Sequence, residues 1–461
     1  MNNPLKNLFD NRRASNDFLL GETATVADHA AVSGTQPQVP EALSRAFPDL
    51  LTGPEFVARA LEKLKATAAF QACVVRIDQP DADPGASQEA PPATMLTALA
   101  AALDNFCENR NWQWSIIDRE NFGCFLPLAD KTTSTSRGPE LQAALEALQP
   151  ATFSIGCARY PLIDYQREDI LDNAFKALDH AAFFGPGSVV DFDAVSLNIS
   201  GDRFYQKGDL NRAMDEFNRA LALDPENVNV HNSLGVCYGV LGAYEKAVKI
   251  FESAAELAPD DLMPVYNIGL AQLLIGDKDA ALEYFLAAAE KDPQAFEPAF
   301  QTGRVYFENG KTKKARAYLE KATTRNAESA SAQRYLGLCY LELKKDAAAV
   351  AALKKAVQLN PNDAQALSAL GYLLDRQGEN LEVTTIFCQQ SVEIAPENGL
   401  FRYRLAQLLT KRGALEEALR EFETAQQLGH DVGKMIADVK ERIAIEINYE
   451  LFLNFQSGNS P

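Results

Sequence analysis

The sequence holds no run of about 18 apolar residues, the length a membrane-crossing helix needs, and its opening stretch, MNNPLKNLFDNRR, lacks the apolar core of a secretion signal. No membrane insertion is therefore expected, and the expected compartment is the cytoplasm. Basic residues are scarce: 44 Lys and Arg stand against 63 Asp and Glu, a formal net charge of −19. That deficit argues against general affinity for nucleic acid phosphates, which takes clustered cations. The four histidines stand apart, and the seven cysteines (Cys73, Cys107, Cys124, Cys157, Cys237, Cys339, Cys388) form no Cys-x-x-Cys pair. They read as reduced, buried thiols, and no metal or other cofactor is expected.

What the chain does have is one period. Glycine falls at Gly201, Gly235, Gly269, Gly303, Gly337 and Gly371, each 34 residues after the last, and proline keeps the step at Pro225, Pro259, Pro293 and Pro361. Twelve residues after each of the first five glycines stands an alanine (Ala213, Ala247, Ala281, Ala315, Ala349), then a bulky apolar residue (Phe217, Phe251, Phe285, Leu319, Leu353), then another alanine (Ala220, Ala254, Ala288, Ala322, Ala356). Each unit has room for two short helices that cross at the small residues, with the Phe or Leu beside the crossing and the proline ending the pair. A lone pair cannot bury its apolar faces, so the units stack into a solenoid that binds partners on its surface.

This spacing resembles the tetratricopeptide repeat (TPR), in seven units over residues 194–432, followed by a capping helix and tail over 433–461. The fourth unit has Ala327 in place of proline, so its turn is expected to rest on Asn326 or Ser329. The sixth unit is one residue longer and carries Asn380, Thr384 and Thr385 near its crossing, which predicts loose packing there. Val432, Ile436, Val439, Ile443, Ile447 and Leu451 predict one apolar face on the capping helix, and Phe452 and Phe455 lie in its tail.

Residues 1–45 read as a disordered leader with two short apolar pieces, Leu5–Phe9 and Phe18–Leu20. Residues 46–193 alternate helical and strand patterns, which indicates an α/β domain. Helical spacing covers Phe56 to Leu64 and Met95 to Phe106. Ala72 to Ile77 is a buried strand, and Trp112 to Leu126 a hairpin that turns at Asp118 to Asn121. Thr152 to Ala158 is a strand, Glu168 to Phe184 a helix, and Ser188 to Phe192 a closing strand. The joint between Phe192 and Ala194 is short, so a fixed orientation is expected there. The domain resembles the GGDEF domain of bacterial diguanylate cyclases: Leu51-Thr52-Gly53 after Asp49, Phe153-Ser154-Ile155-Gly156, and AFKALDHAAFFGPG with Ala174, Ala177, Leu178, Ala181 and Gly185 in register. The signature hairpin falls on Asp118 to Phe122. The fold class expected is thus an α/β GGDEF-like domain of nucleotide-cyclase type followed by an all-α TPR superhelical solenoid.

The resemblance also implies that catalysis is lost. The family joins two GTP molecules with the help of metal and phosphate-binding cations. The hairpin glycines that admit the nucleotide are here Asp118 and Arg119. The metal-binding carboxylate of the hairpin survives as Glu120, but the next acid is Asn121, and the other metal ligand is replaced by Arg76, two residues before Asp78. The base-reading stretch is a Pro-rich loop, QPDADPGASQEAPPAT, and the phosphate cations are Ala182 and Pro186. The inhibitory RxxD reads Asn109 to Trp112, NRNW. Asp78, Glu120 and Asn121 then mark a vestigial nucleotide site, and no enzyme activity is expected. The competing reading is a GTP- or cyclic di-GMP-responsive sensor, or a residual diguanylate cyclase, that regulates the repeat groove.

The TPR resemblance implies that the first helix of each unit lines a concave groove. Its outward positions then present Tyr266, Leu270, Leu273, Phe300, Arg304, Phe307, Arg334, Leu338, Leu341 and Tyr372. So many large apolar groups on an exposed face mark an interaction site. The expectation is a scaffold in a signalling assembly that binds a protein or peptide with an apolar face and acidic groups for the two arginines.

Overall fold

In the computed structural model the described residues are 41–78, 92–108, 112–118, 120–128, 136–148 and 150–456. The two apolar pieces of the leader, most of the Pro-rich loop, Asn109, Arg119 and the side chains of Leu451, Phe452 and Phe455 lie outside what is described. The chain divides into two compact units, residues 1–275 and 276–461.

The first unit begins with α1 (Glu41–Ala46) and α2 (Gly53–Leu64). The sheet follows as β1 (Phe70–Ile77), β2 (Gln113–Ile116), β3 (Asn121–Pro127), β4 (Phe153–Tyr160) and β5 (Val189–Asp191), with α3 (Ala93–Glu108), α4 (Gly138–Leu145) and α5 (Ile170–Ala181) between strands. The strand order is β2-β3-β1-β4-β5; β1 runs antiparallel to β3 and β4, and β5 lies parallel to β4. Alternation along β1 separates two cores. Phe70, Ala72 and Val74 join α2 and α5, while Cys73, Val75 and Ile77 join α3 and α4. A Cβ at Gly156 would collide with the backbone of Ala174 and Leu178, so that glycine lets α5 lie directly on β4. The expected leader is too long: Leu43 is fully buried in the second core, because a six-residue helix presents it to the sheet layer.

The repeat array starts in this same unit with α6 (Ala194–Gln206), α7 (Leu210–Leu223), α8 (Val228–Val240), α9 (Tyr244–Leu257) and α10 (Leu262–Ile275). Phe192, Leu197, Phe217, Val230 and Cys237 belong to one apolar cluster with α2 and α5, so the first repeats share a core with the sheet layer. Asp193 accepts from the Ser196 backbone N–H at 2.8 Å and caps α6. Lys176 of α5 donates to Glu216 of α7 at 2.7 Å, and Arg203 of α6 pairs with Asp179.

The second unit continues with α11 (Lys278–Lys291), α12 (Phe296–Glu308), α13 (Thr312–Arg325), α14 (Ala330–Glu342), α15 (Asp346–Leu359), α16 (Ala364–Arg376), α17 (Leu381–Ile394), α18 (Gly399–Arg412), α19 (Leu415–Gln427) and α20 (Gly433–Gln456). The 34-residue lattice has the physical meaning read from the sequence. A Cβ on Gly303 would lie 2.6 Å from Leu319 Cγ, one on Gly337 equally close to Leu353 Cγ, and in the first unit one on Gly201 or Gly235 would strike the ring of Phe217 or Phe251. A second lattice of the same period turns each pair: Gly208, Gly242, Gly276, Gly310 and Gly378 have positive φ, and Lys344 takes the same place with φ 56°.

In the fourth unit Asn326 accepts from Glu328 N–H at 3.1 Å and Ser329 from Ala332 N–H at 3.3 Å, the same bonds that Asn360 and Asp363 make in a unit that keeps its proline, so they are common to the repeat turns and not a substitute for the proline. The sixth unit corrects its expectation. Asn380 caps α17 through the N–H groups of Glu382 and Val383, and Thr384 and Thr385 are buried with their hydroxyls on Leu381 O, so the hydroxyls are satisfied locally and the crossing packs tightly. The capping face is also shorter than expected. Val432, Ile436 and Val439 are buried, but Ile447 is 52% exposed. The 24-residue α20, about 36 Å long at 1.5 Å per residue, outruns the 13-residue α19 beneath it.

Candidate functional site

In the sheet layer, Asp78 follows β1 and Glu120 precedes β3, strands that pair with Arg76 opposite Asn121. Asp78 is committed to the fold: one oxygen accepts from Ser154 Oγ at 2.6 Å and the other from Gly187 N–H at 2.7 Å. Asn121 is buried, and its amide donates to both oxygens of Asp118 at 2.9 and 2.8 Å. The Asp118 carboxylate also accepts the N–H groups of Glu120 and Asn121, so it closes the hairpin turn. Of the three expected residues, Asp78 and Asn121 are thus committed to the fold, which leaves Glu120 as the carboxylate not engaged in these hydrogen bonds. Among the described residues no group of three or more His, Cys, Asp and Glu is arranged to hold a metal.

The cysteines are free and buried. Cys73 sits opposite both Cys124 and Cys157 across the strands, with its Sγ 2.8 Å from that of Cys157. Burial, then the Cys157 hydrogen bond, raises the Cys73 thiol well above its ordinary value; the Cys107 hydrogen bond, then burial, does so for Cys124. Such thiols stay protonated and unreactive.

The inner face of the array follows from which helices touch. In the first unit α8 contacts both α6 and α10; in the second, α14 contacts α12 and α16, and α16 contacts α18. First helices of successive pairs thus meet one another, which makes theirs the shorter, concave side. In the first unit this side holds a cavity of about 100 Å³ lined by Asp202, Asn232, Ser233, Asn267, Phe217 and Met263 among others. In the second unit it carries an aromatic row. Phe296 stacks on Phe300 at 5.6 Å, Phe300 meets Tyr335 edge-on at 6.0 Å, and Phe307 meets Tyr335 at 5.8 Å. All four rings are half-buried, leaving one edge open.

The expectation of ten exposed groove residues needs correction. Tyr266, Leu270, Leu273, Arg304 and Leu338 are buried, at 7, 1, 5, 8 and 8% exposure. Because first helices pack against one another, Leu270, Arg304 and Leu338, which follow one another at the 34-residue step, point into the crevices between them and not to solvent. Phe300, Phe307, Arg334, Leu341 and Tyr372 are half-buried. Leu341, Phe307 and Tyr372 pack on the core below, and Tyr372 lies under the guanidinium of Arg404 at 4.9 Å. Neither arginine waits for a partner's acid. Arg304 pairs with Glu308 at 3.5 Å, and Arg334 pairs with Asp363 at 2.8 Å and donates to Gln365. Tyr335 and Asn267 escaped the sequence reading, although each directly follows a residue read as outward, Arg334 and Tyr266.

Residues 175–441, more than half of the chain, match the family model described as cilia and flagella-associated protein 70 C-terminal domain, a TPR family. The match begins inside α5. Among solved structures, the chain is similar to YrrB, a TPR protein with an unusual peptide-binding site, at 24% identity over 42% of this chain and 99% of that one, with a TM-score of 0.37. A tetratricopeptide repeat protein from Parabacteroides merdae ATCC 43184 matches at 16% identity over 53% of this chain and 96% of that one, TM-score 0.38. TTC0263, a thermophilic TPR protein of Thermus thermophilus, matches at 21% identity over 39% of this chain and 98% of that one, TM-score 0.32. No curated protein matches the chain.

Proposed function

The chain belongs to the family described as the cilia and flagella-associated protein 70 C-terminal domain, and from that premise we propose that it is a non-catalytic scaffold that binds a partner protein through the concave side of its TPR array. The observation that carries this reading is the open aromatic row Phe296, Phe300, Phe307 and Tyr335 on α12 and α14. A half-buried row of rings on rigid helices offers an apolar face a low-entropy seat, and aromatic anchors dominate interface energetics. The partner segment is a peptide with an apolar face. Acidic groups on it have little to meet on the concave side of the second unit, since Arg304 and Arg334 already hold Glu308 and Asp363. Tyr266, Leu270, Leu273 and Leu338 support the groove from beneath, and Phe300, Phe307, Leu341 and Tyr372 form its wall.

In this reading the sheet layer, over about residues 46–193, is a degenerate GGDEF-like domain, inactive as a cyclase, in a cytoplasmic protein. Its strand and helix succession supports the resemblance. Both oxygens of Asp78 are taken by Ser154 and Gly187, which supports the loss of metal binding. Its role is mechanical: its core continues into α6, α7 and α8 and gives the first repeats a firm base.

Site-specific photocrosslinking tests the proposal. With benzoylphenylalanine at Tyr335, or at Tyr318 on the second helix of its pair as a control, the full chain is exposed to a peptide selected from a random display library. Crosslinks at 335 and not at 318 support the reading; the reverse pattern contradicts it.

A further inference from the structure

The turns that join the two helices of each pair follow one another along an edge of the array, and in the second unit that edge is stitched from turn to turn. Lys278 pairs with Glu308 at 3.3 Å, Arg376 with Asp346 at 3.2 Å, and Lys411 with Asp375 at 2.7 Å. Between the fourth and fifth repeats the stitch is of another kind: Thr312 Oγ1 donates to Glu342 Oε2 at 2.5 Å. A hydroxyl stands there where the other junctions use a cation, so the lysines of these two turns are not consumed in holding the edge together.

Those lysines are Lys311, Lys313, Lys314, Lys344 and Lys345. All are exposed, and among the described residues none of them stands in an ion pair; Lys314 lies with its Nζ 5.4 Å from the centre of the Tyr306 ring. The nearby acids are engaged elsewhere: Glu308 by Lys278 and Arg304, Asp346 by Arg376, and Glu342 by Thr312. A chain of net charge −19 thus carries a local excess of positive charge on two joined turns.

The positions are costly ones for lysine. Lys311 and Lys345 stand where α13 and α15 begin and cap neither, while Asp209, Asp277 and Asn380 cap the helices at the equivalent places. A cation there meets the positive end of the helix dipole. Lys344 holds φ 56° where the matching turns have glycine. Stability alone favours other residues at all three places, so the charge itself calls for a role.

The patch is also short. The turn before it carries Asp277 and Asp279, and the turn after it Glu379 and Glu382. A long polyanion or an anionic membrane surface would run onto those acids and meet the repulsion of the whole chain. A brief run of carboxylates fits between them.

We propose that the turn edge of the fourth and fifth repeats docks an acidic segment of a partner protein, its Asp and Glu side chains set against the five lysines. None of these lysines belongs to the aromatic row, so the inference stands apart from the reading of the concave side. Acids that find Arg304 and Arg334 taken there find cations here.

The test uses the full chain and a fluorescent hexaglutamate peptide, up to about 20 Å long when extended, followed by anisotropy at low ionic strength beside a neutral hexaglutamine peptide. Wild type is compared with Lys313→Gln/Lys345→Gln and with Lys354→Gln/Lys434→Gln, which removes the same charge from exposed lysines elsewhere in the second unit. Urea midpoints check that each is folded; should the first variant fail, Lys344→Gly takes its place. The expected result is binding of hexaglutamate alone that fades as salt is added, is weakened about fivefold or more by the patch variant, and stays within about twofold of wild type in the other. No hexaglutamate binding, unchanged affinity in the patch variant, or equal loss in both variants overturns the inference. Tighter binding of duplex DNA or of phosphatidylserine vesicles than of hexaglutamate, lost in the same patch variant, overturns the choice of a protein partner.

Discussion

Gly303 of α12 faces Leu319 of α13 so closely that a Cβ on the glycine would lie 2.6 Å from Leu319 Cγ and 3.2 Å from its backbone nitrogen. Leu319 is fully buried and cannot step aside. Gly303→Ala is therefore expected to destabilise the array by about 1–3 kcal/mol, the usual range for overpacking a tight core. Urea denaturation checks it, and Leu319→Ala in the same chain should recover part of the loss by opening the crossing.

Lys344 holds φ 56° where the equivalent turns have glycine. An L-residue with a side chain is strained there by roughly 1–2 kcal/mol, partly offset by glycine's greater freedom when unfolded. Lys344→Gly should stabilise the chain by about 0.5–1 kcal/mol, read as a higher urea midpoint. Gly310→Lys, at the matching turn one unit earlier, should lower it by a similar amount.

Asp193 caps the first repeat helix and faces His180 at 3.4 Å. Burial pushes its carboxyl up, but the hydrogen bonds to His180 and Ser196 outweigh that and hold it below the ordinary 3.8. A depressed folded-state value means that its contribution is present above pH 3.8 and is lost as pH falls through the lower folded value. Asp193→Asn should thus be less stable than wild type near neutral pH, and the difference should shrink from about pH 5 to about pH 2 in urea titrations.

The sheet layer's hairpin yields a prediction about ligands. With Asp118 and Asn121 bound to each other and Asp78 engaged by Ser154 and Gly187, Glu120 has no second acid among the described residues arranged to share a divalent ion with it. Calorimetry with GTP, Mg²⁺ and cyclic di-GMP should show no micromolar binding, and Glu120→Ala should change nothing. Micromolar binding abolished by that substitution would establish the sensor reading instead.

The period of the array was legible because it is local physics. A glycine must stand sixteen residues before a Phe or Leu for two helices to cross, and that spacing is written in one stretch of chain. Exposure along the inner face was not legible, because it depends on how each first helix meets the next pair. This is why Leu270 and Leu338, read as exposed, lie in the crevices. The turn glycines at 208, 242, 276, 310 and 378 form a second lattice that Lys344 interrupts, and it went unread. So did the helix Gly138–Leu145 and the burial of Leu43, where the segments are too short to show a period. The hairpin itself was legible from its strand pattern and polar turn; the use of Asp118 as the lock of that turn was not.

The central claim is that the inner aromatic row is a protein-binding surface. It is tested most directly by fluorescence anisotropy with a peptide selected from a random display library against the full chain. Wild type is compared with Phe300→Asp and with the second-helix control Tyr318→Asp, each first confirmed as folded by its urea midpoint. Phe300→Asp is predicted to weaken binding at least tenfold, about 1.4 kcal/mol or more, with Tyr318→Asp within twofold of wild type. Unchanged affinity in a folded Phe300→Asp chain would contradict the account.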